Sequence, residues 1–99
     1  MAAVMFADMV GFTALMQADE ESAIELRSRF RSVIEGLHNE FEGRIVQYYG
    51  DGTLSIFGNS VDAVRCAVAI QTELSQDPQV PVRVGLHVGD VVVEEHGLL

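Results

Sequence analysis

Two strand-like runs, residues 44–49 and 53–57, have only Gly50-Asp51-Gly52 at their junction. A link that short closes only as a tight hairpin. The chain must therefore contain an antiparallel pair with a carboxylate, Asp51, at its tip. A second carboxylate ends another apolar run. Residues 2–7 read as a buried strand. The run stops at Asp8 and turns at Gly11. A carboxylate at the end of a buried strand has little water around it and needs a cation or hydrogen-bond donors. Gly11 lets the backbone turn without a Cβ clash, and the amides of Gly11, Phe12 and Thr13 are then free to face an anion.

The segments between these strands set the topology. Asp19 is placed to cap a helix, with Glu20 and Glu21 in the first turn, where the helix dipole favours them. Leu26, Phe30, Val33, Ile34, Leu37 and Phe41 follow on one helical face, and Gly43 is the expected stop. Arg27, Arg29 and Arg31 lie off that face. The pairs Glu25–Arg29 and Arg31–Glu35 read as a solvated surface, and His38 reads as an exposed helix residue. Ser60 is expected to cap a second helix over residues 61–74, burying Ala63, Ala67, Ile70 and Leu74, flanked by Val64 and Val68. Asp77-Pro78-Gln79 is a turn. A last strand runs over residues 82–94, with Val82, Val84, Leu86 and Val88 on one face and Arg83, Gly85, His87 and Gly89 on the other.

The order β-α-β-β-α-β is that of an α+β, ferredoxin-like fold. In it the first and second strands run parallel with the third antiparallel between them. The end of the first strand and the hairpin tip then fall at the same sheet edge, so Asp8 and Asp51 become neighbours. Helices cover one face of the sheet and leave the other for solvent or a partner.

At 99 residues and 48% hydrophobic, the chain supports a single globular domain with a modest core. Its formal charge of −9, with six basic residues that are all arginine, argues against nucleic-acid binding. No run reaches the length of a membrane span, and no basic leader segment is present. One cysteine, Cys66, excludes an internal disulfide and fits a reducing compartment such as the cytoplasm; it reads as a small core residue. There is no phosphate loop ending in Lys-Ser/Thr, no G-x-S-x-G elbow and no H-E-x-x-H pair.

Two carboxylates about 4 Å apart repel by roughly 4 kcal/mol at an effective dielectric of 20. A shared cation would offset this, and hard oxygen donors select Mg²⁺, Mn²⁺ or Ca²⁺. Beside an anion-cradling turn, such metals suggest phosphoryl or nucleotidyl transfer. The competing reading makes Asp8 a turn residue and Asp51 the tip residue that such hairpins favour. His87, between Gly85 and Gly89, reads as an accessible strand imidazole with a structural or interface role ahead of a catalytic one. Its flanking glycines allow close approach of a backbone or ligand.

The stretches Phe6-Ala7-Asp8-Met9-Val10-Gly11-Phe12-Thr13, Tyr49-Gly50-Asp51-Gly52-Thr53-Leu54 and Val82-Arg83-Val84-Gly85-Leu86-His87-Val88-Gly89 resemble the class III adenylate/guanylate cyclase catalytic domain. The resemblance covers nearly the whole chain. It implies that Asp8 and Asp51 hold two Mg²⁺ or Mn²⁺ ions, with the backbone carbonyl of Met9 as a further ligand. It implies that Gly11, Phe12 and Thr13 cradle a triphosphate and that Gly50 and Gln47 adjoin the substrate. The implied reaction turns ATP, or GTP, into cyclic nucleotide and pyrophosphate within a head-to-tail homodimer. The family's transition-state Asn and Arg, and one purine-selecting residue, belong to a later segment, so residues 1–99 are expected to be an N-terminal portion of a C-terminally truncated domain, inactive alone. At Gln47 many adenylate cyclases have Lys. Two other readings stand beside this one: a non-catalytic cyclase-like domain for nucleotide binding or dimerisation, and a ferredoxin-like sensor module.

Overall fold

A computed structural model describes residues 2–89 together with Val93–Glu94 and Gly97–Leu98. In chain order the elements are β1 (Ala2–Met9), α1 (Phe12–Ala18), α2 (Glu20–Glu40), β2 (Arg44–Tyr48), β3 (Gly52–Phe57), α3 (Ser60–Leu74), β4 (Val82–Gly89), β5 (Val93–Glu94) and β6 (Gly97–Leu98). The main sheet has the order β2-β3-β1-β4. Each neighbouring pair is antiparallel, so β1 and β2 are parallel across β3, as the ferredoxin-like reading requires. The strand expected over residues 82–94 is described as two pieces. β4 ends at Gly89, and Val93–Glu94 pairs separately with Gly97–Leu98; residues 90–92 lie outside the described set.

The strand β1 is central, and its alternation builds the core. Ala3, Met5, Ala7 and Met9 face the helices and join Phe30, Ile34, Phe57, Ala63, Cys66, Ile70 and Leu74 in one buried cluster. Burying side chains the size of Phe30 or Phe57 stabilises the fold by about 1.5–3 kcal/mol each. Cys66 is buried as expected, and burial pushes its thiol up to about 11. On α3 it takes the core position expected of Ala67, which is only partly buried; Val64 and Val68 are 50% and 61% exposed.

The helix ends depart from expectation in instructive ways. A short helix, α1, fills the stretch read only as a turn after Gly11. Asp19 both ends α1 and begins α2. Its N–H donates to the Leu15 carbonyl at 2.6 Å, while its carboxylate accepts from the Ser22 N–H and hydroxyl. The bonds from Ser22 hold the Asp19 carboxyl below its usual range. The cap of α3 is Asn59 rather than Ser60, accepting from the Asp62 N–H at 2.9 Å. At the end of α2 the left-handed residue is Glu42, at φ 60, not Gly43. The Gly43 N–H reaches back to the His38 carbonyl at 2.8 Å in a Schellman-type closure. Glycine is needed at 43 because a Cβ there would stand 2.5 Å from the Phe57 ring and 2.7 Å from the His38 ring.

Two surface expectations are overturned. Neither Glu25–Arg29 nor Arg31–Glu35 forms an ion pair; the sole ion pair among the described residues joins Asp8 and Arg83. The α2 arginines find carbonyls instead. Arg29 donates to the carbonyls of Glu73, in the last turn of α3, and of Gln76 and Pro78 just beyond it. His38 is 2% exposed rather than solvated. Its Nδ1–H donates to the Ile34 carbonyl at 2.7 Å, so its Nε2 accepts from the Ser55 hydroxyl at 2.7 Å. A strand serine opposite the helix makes room for an imidazole in the core, which helical periodicity alone does not disclose.

Burial of His38 lowers its pKa, although the Ile34 bond opposes this. The unfolded chain therefore takes up a proton near pH 6.5 that the folded chain refuses. The stability from neutral His38 is fully present above that pH and is lost as pH falls toward the lowered folded value, by at most about 1.4 kcal/mol per pH unit. Urea unfolding at pH 8, 7, 6 and 5.5 measures the slope, and His38→Gln should remove it.

Candidate functional site

On the sheet face away from the helices, register sets the side chains in cross-strand rows. Asp8 stands between Gly52 of β3 and Arg83 of β4. Tyr49 closes that row, its N–H donating to the Gly52 carbonyl at 2.8 Å. The next row contains Gln47, Leu54, Phe6 and Gly85. A register shift between Ile45 and Gln47 in β2 puts Ile45 against the core and Gln47 on the open face. Strict alternation would have given the two residues one face. The bulge leaves Gln47 one row from Asp8.

The expected meeting of the two aspartates is observed. The Met9 N–H donates to the Asp51 carbonyl at 2.8 Å, tying the hairpin tip to the end of β1. Asp8 and Asp51 line one cleft of about 200 Å³ with Phe6, Tyr49 and Gly52. Phe6 is 52% and Tyr49 48% exposed, so two aromatic faces are open to a ligand or a partner surface. Gly52 makes the close approach possible: a Cβ there would lie 2.9 Å from the Ala7 carbonyl oxygen and 3.1 Å from the Asp8 Cβ.

The hairpin is held from the helical side. Arg31 donates to the carbonyls of Tyr49 at 3.0 Å and Gly50 at 3.4 Å, and its guanidinium lies 5.1 Å from the centre of the Tyr48 ring. The Tyr48 hydroxyl donates to Glu35 Oε1 at 2.6 Å. Burial first, then the Glu35 carboxylate, pushes the Tyr48 phenol up to about 12. The backbone just before Asp51 is thus fixed by α2.

Gly11, at φ 76 and ψ 14, is the N-cap of α1. The helix amides that follow, at Phe12 and Thr13, have no intrahelical acceptor. Phe12 packs its side chain toward the core and beneath Arg27, whose guanidinium is 5.4 Å from the ring centre, so its backbone alone is available. Met9 is likewise committed, with its side chain buried in the core. His87 pairs with Val4, two rows from Asp8, and lies over Gly89; it does not join the cleft.

The oxygen donors that line the cleft are the Asp8 and Asp51 carboxylates, backbone carbonyls and the Tyr49 and Thr53 hydroxyls. Among the described residues no group of three or more His, Cys, Asp and Glu comes together. Two carboxylates without a soft or imidazole ligand suit a metal that keeps waters and takes its other ligands from phosphate, as Mg²⁺ does. They do not suit zinc. Asp8 already has one cation beside it: Arg83 Nε lies 3.3 Å from Asp8 Oδ1. The sequence reading missed Arg83, Arg31 and the two exposed aromatics. Alternation could have put Phe6 beside Asp8, but the register that brings Arg83 opposite Asp8 has no local signature.

The scan against protein-family models finds no match. The chain is 39% identical, over 99% of its length, to "Putative adenylate cyclase 3" of Rhizobium meliloti (strain 1021), of which it spans 18%. It is 35% identical, over 97% of its length, to the serine/threonine-protein kinase pkn2 of Myxococcus xanthus, of which it spans 12%. Among solved structures, the adenylate/guanylate cyclase/hydrolase from Silicibacter pomeroyi matches with a TM-score of 0.86 at 29% identity, over 99% of this chain and 62% of that one. An adenylate cyclase from Trypanosoma brucei shares the fold with a TM-score of 0.86 at 20% identity, over 98% of this chain and 62% of that one. The chain therefore spans less than two thirds of each of these proteins.

Gly52→Ala tests the close approach. The new methyl would meet backbone that cannot yield cheaply, so stability should fall by about 1–3 kcal/mol. The amide resonances of Ala7, Asp8 and Met9 should move most. Urea unfolding and heteronuclear NMR read both; shifts confined to the hairpin would show that β1 does not depend on this contact.

Proposed function

We propose, for a chain that belongs to the class III adenylate/guanylate cyclase domain family, that Asp8 and Asp51 hold two Mg²⁺ or Mn²⁺ ions and that this centre serves the conversion of ATP to cyclic AMP and pyrophosphate. The observation that carries the reading is the shared cleft of Asp8 and Asp51, tied together through the Met9–Asp51 backbone bond. Bound divalent ions supply activation of the ribose 3′-hydroxyl and neutralise charge on the phosphates.

The chain's own groups do the rest. The Met9 carbonyl is the further oxygen ligand. The first amides of α1, after Gly11, orient the triphosphate, and Gly50 leaves the hairpin tip without a side chain beside it. Gln47, one row away on the open face, reaches the base. A cleft of about 200 Å³ is smaller than the roughly 300–1,000 Å³ of typical ligand pockets, so a nucleotide needs a second wall. A head-to-tail copy of the domain, docked on the open face with its exposed Phe6 and Tyr49, supplies that wall. The 39% identical relative named as an adenylate cyclase supports ATP as the substrate. The non-catalytic alternative has one observation in its favour: a protein named as a kinase matches the chain over almost its full length.

Turnover is measured with Mn²⁺–ATP on a chain of the solved relatives' length, of which this chain spans 62%. Asp8→Ala and Asp51→Ala should each lower turnover about a hundredfold or more, with the double variant little worse than either single, because the pair acts as one unit. Wild-type turnover in either single variant would exclude a shared metal site, and no turnover in the unsubstituted chain would favour the non-catalytic reading.

The Gln47 amide can both donate and accept, so its preference for one base should be modest. ATP should be favoured over GTP about threefold to tenfold in kcat/KM, the equivalent of roughly one net hydrogen bond. Discrimination beyond a thousandfold that survives Gln47→Ala would place base choice elsewhere.

A further inference from the structure

We propose that Arg83 is the resident counter-cation of Asp8, a positioning residue that holds this carboxylate in the metal-free chain and that an arriving divalent cation must displace. The inference rests on the metal reading of Asp8 given above and adds a competitor to it.

Three observations converge on Arg83. Antiparallel register puts it directly opposite Asp8, on the same sheet face. It makes the sole ion pair among the described residues, in a chain of formal charge −9 where carboxylates outnumber arginines fifteen to six. Other arginines are occupied differently: Arg29 and Arg31 on carbonyls, Arg27 and Arg65 over aromatic rings. The contact is also built to be given up. It is a single Nε–Oδ1 approach of 3.3 Å rather than a two-pronged fork, and the two side chains are 75% and 48% exposed. Exposed pairs of this kind are weak and screened by salt. A divalent ion carries twice the charge and binds carboxylate oxygen directly, so it wins the exchange.

The arrangement has a physical purpose. Without metal, Asp8 and Asp51 share one cleft as like charges, and Arg83 offsets that repulsion. With metal bound, Arg83 is a second cation beside it and lowers its affinity. Removing the guanidinium should therefore have opposite effects in the two states: it destabilises the empty chain and tightens metal binding.

Mn²⁺ binding to the 99-residue chain, followed by electron paramagnetic resonance, tests this alongside thermal unfolding with and without Mn²⁺. Arg83→Gln should bind Mn²⁺ about twofold to tenfold more tightly than wild type. Its Tm should be lower than wild type without metal and rise more on adding Mn²⁺. Arg44→Gln removes the same charge from the exposed start of β2 and should leave Mn²⁺ affinity nearly unchanged. Asp8→Asn should lose the binding. If Asp8→Asn loses Mn²⁺ but Arg83→Gln binds it no more tightly than wild type, the counter-cation role is wrong and the metal site stands. Equal tightening in Arg44→Gln would reduce the effect to net charge and also overturn the proposal. Mn²⁺ binding that is absent from wild type would overturn this proposal, and binding that persists in Asp8→Asn would remove both it and the metal reading.

Discussion

The strand β1 is paired on both sides and buries one face against the helices, so only its open face can carry a charged side chain, and Asp8 takes that face near the strand's end. The interior residues Ala3, Met5 and Ala7 of β1 are committed to the core on one face, and its backbone is committed to β3 and β4. Asp8 comes one residue before the strand's end, late enough for its carboxylate to reach solvent and early enough for register to dictate its neighbours. The hairpin tip, the Gly52 approach and the Arg83 contact all follow from where β1 stops. The aspartates at the helix starts, Asp19 and Asp62, are held instead by bonds within their own first turns.

Charge in this molecule is managed by geometry more than by pairing. With fifteen acidic and six basic residues, a salt-bridge network would leave most carboxylates unmatched in any case. Arginine's planar fork serves better where several carbonyls converge. Arg29 gathers three carbonyls near the end of α3 and so joins the two long helices. Arg31 does the same for the hairpin. A lysine ammonium would match either site poorly, which gives a physical reason for arginine at these two positions.

The sequence disclosed the fold because its signals are local and repeat: strand alternation, one helical stripe, a two-glycine hairpin and Asp19 as a cap. The strand order followed from those elements, and with it the meeting of Asp8 and Asp51. What escaped notice depends on contacts between distant segments. His38 looked like a surface residue because its partner, Ser55, lies on another element. Gly43 looked like a helix stop because nothing local reveals that the Phe57 ring passes against it. The bulge in β2 is one inserted residue, yet it separates the faces of Ile45 and Gln47. Arg83 appeared as one polar residue in an alternating strand until register set it against Asp8.

The central position of β1 also has a consequence in time. It precedes both of its partners in the chain: Ala3 pairs with Phe57 and Val88, and Met9 pairs with Val82. At the roughly 5–20 residues per second of protein synthesis, this apolar strand leaves the ribosome several seconds before either flank can be covered. Its hydrogen-bonding edges stand open throughout, the condition under which strands pair with the wrong chain. The helices α1 and α2, made next and closed by local bonds alone, are the first surfaces that can shield it. The α2 face that carries Phe30 and Ile34 is thus the first apolar cover available to β1 as the chain is made.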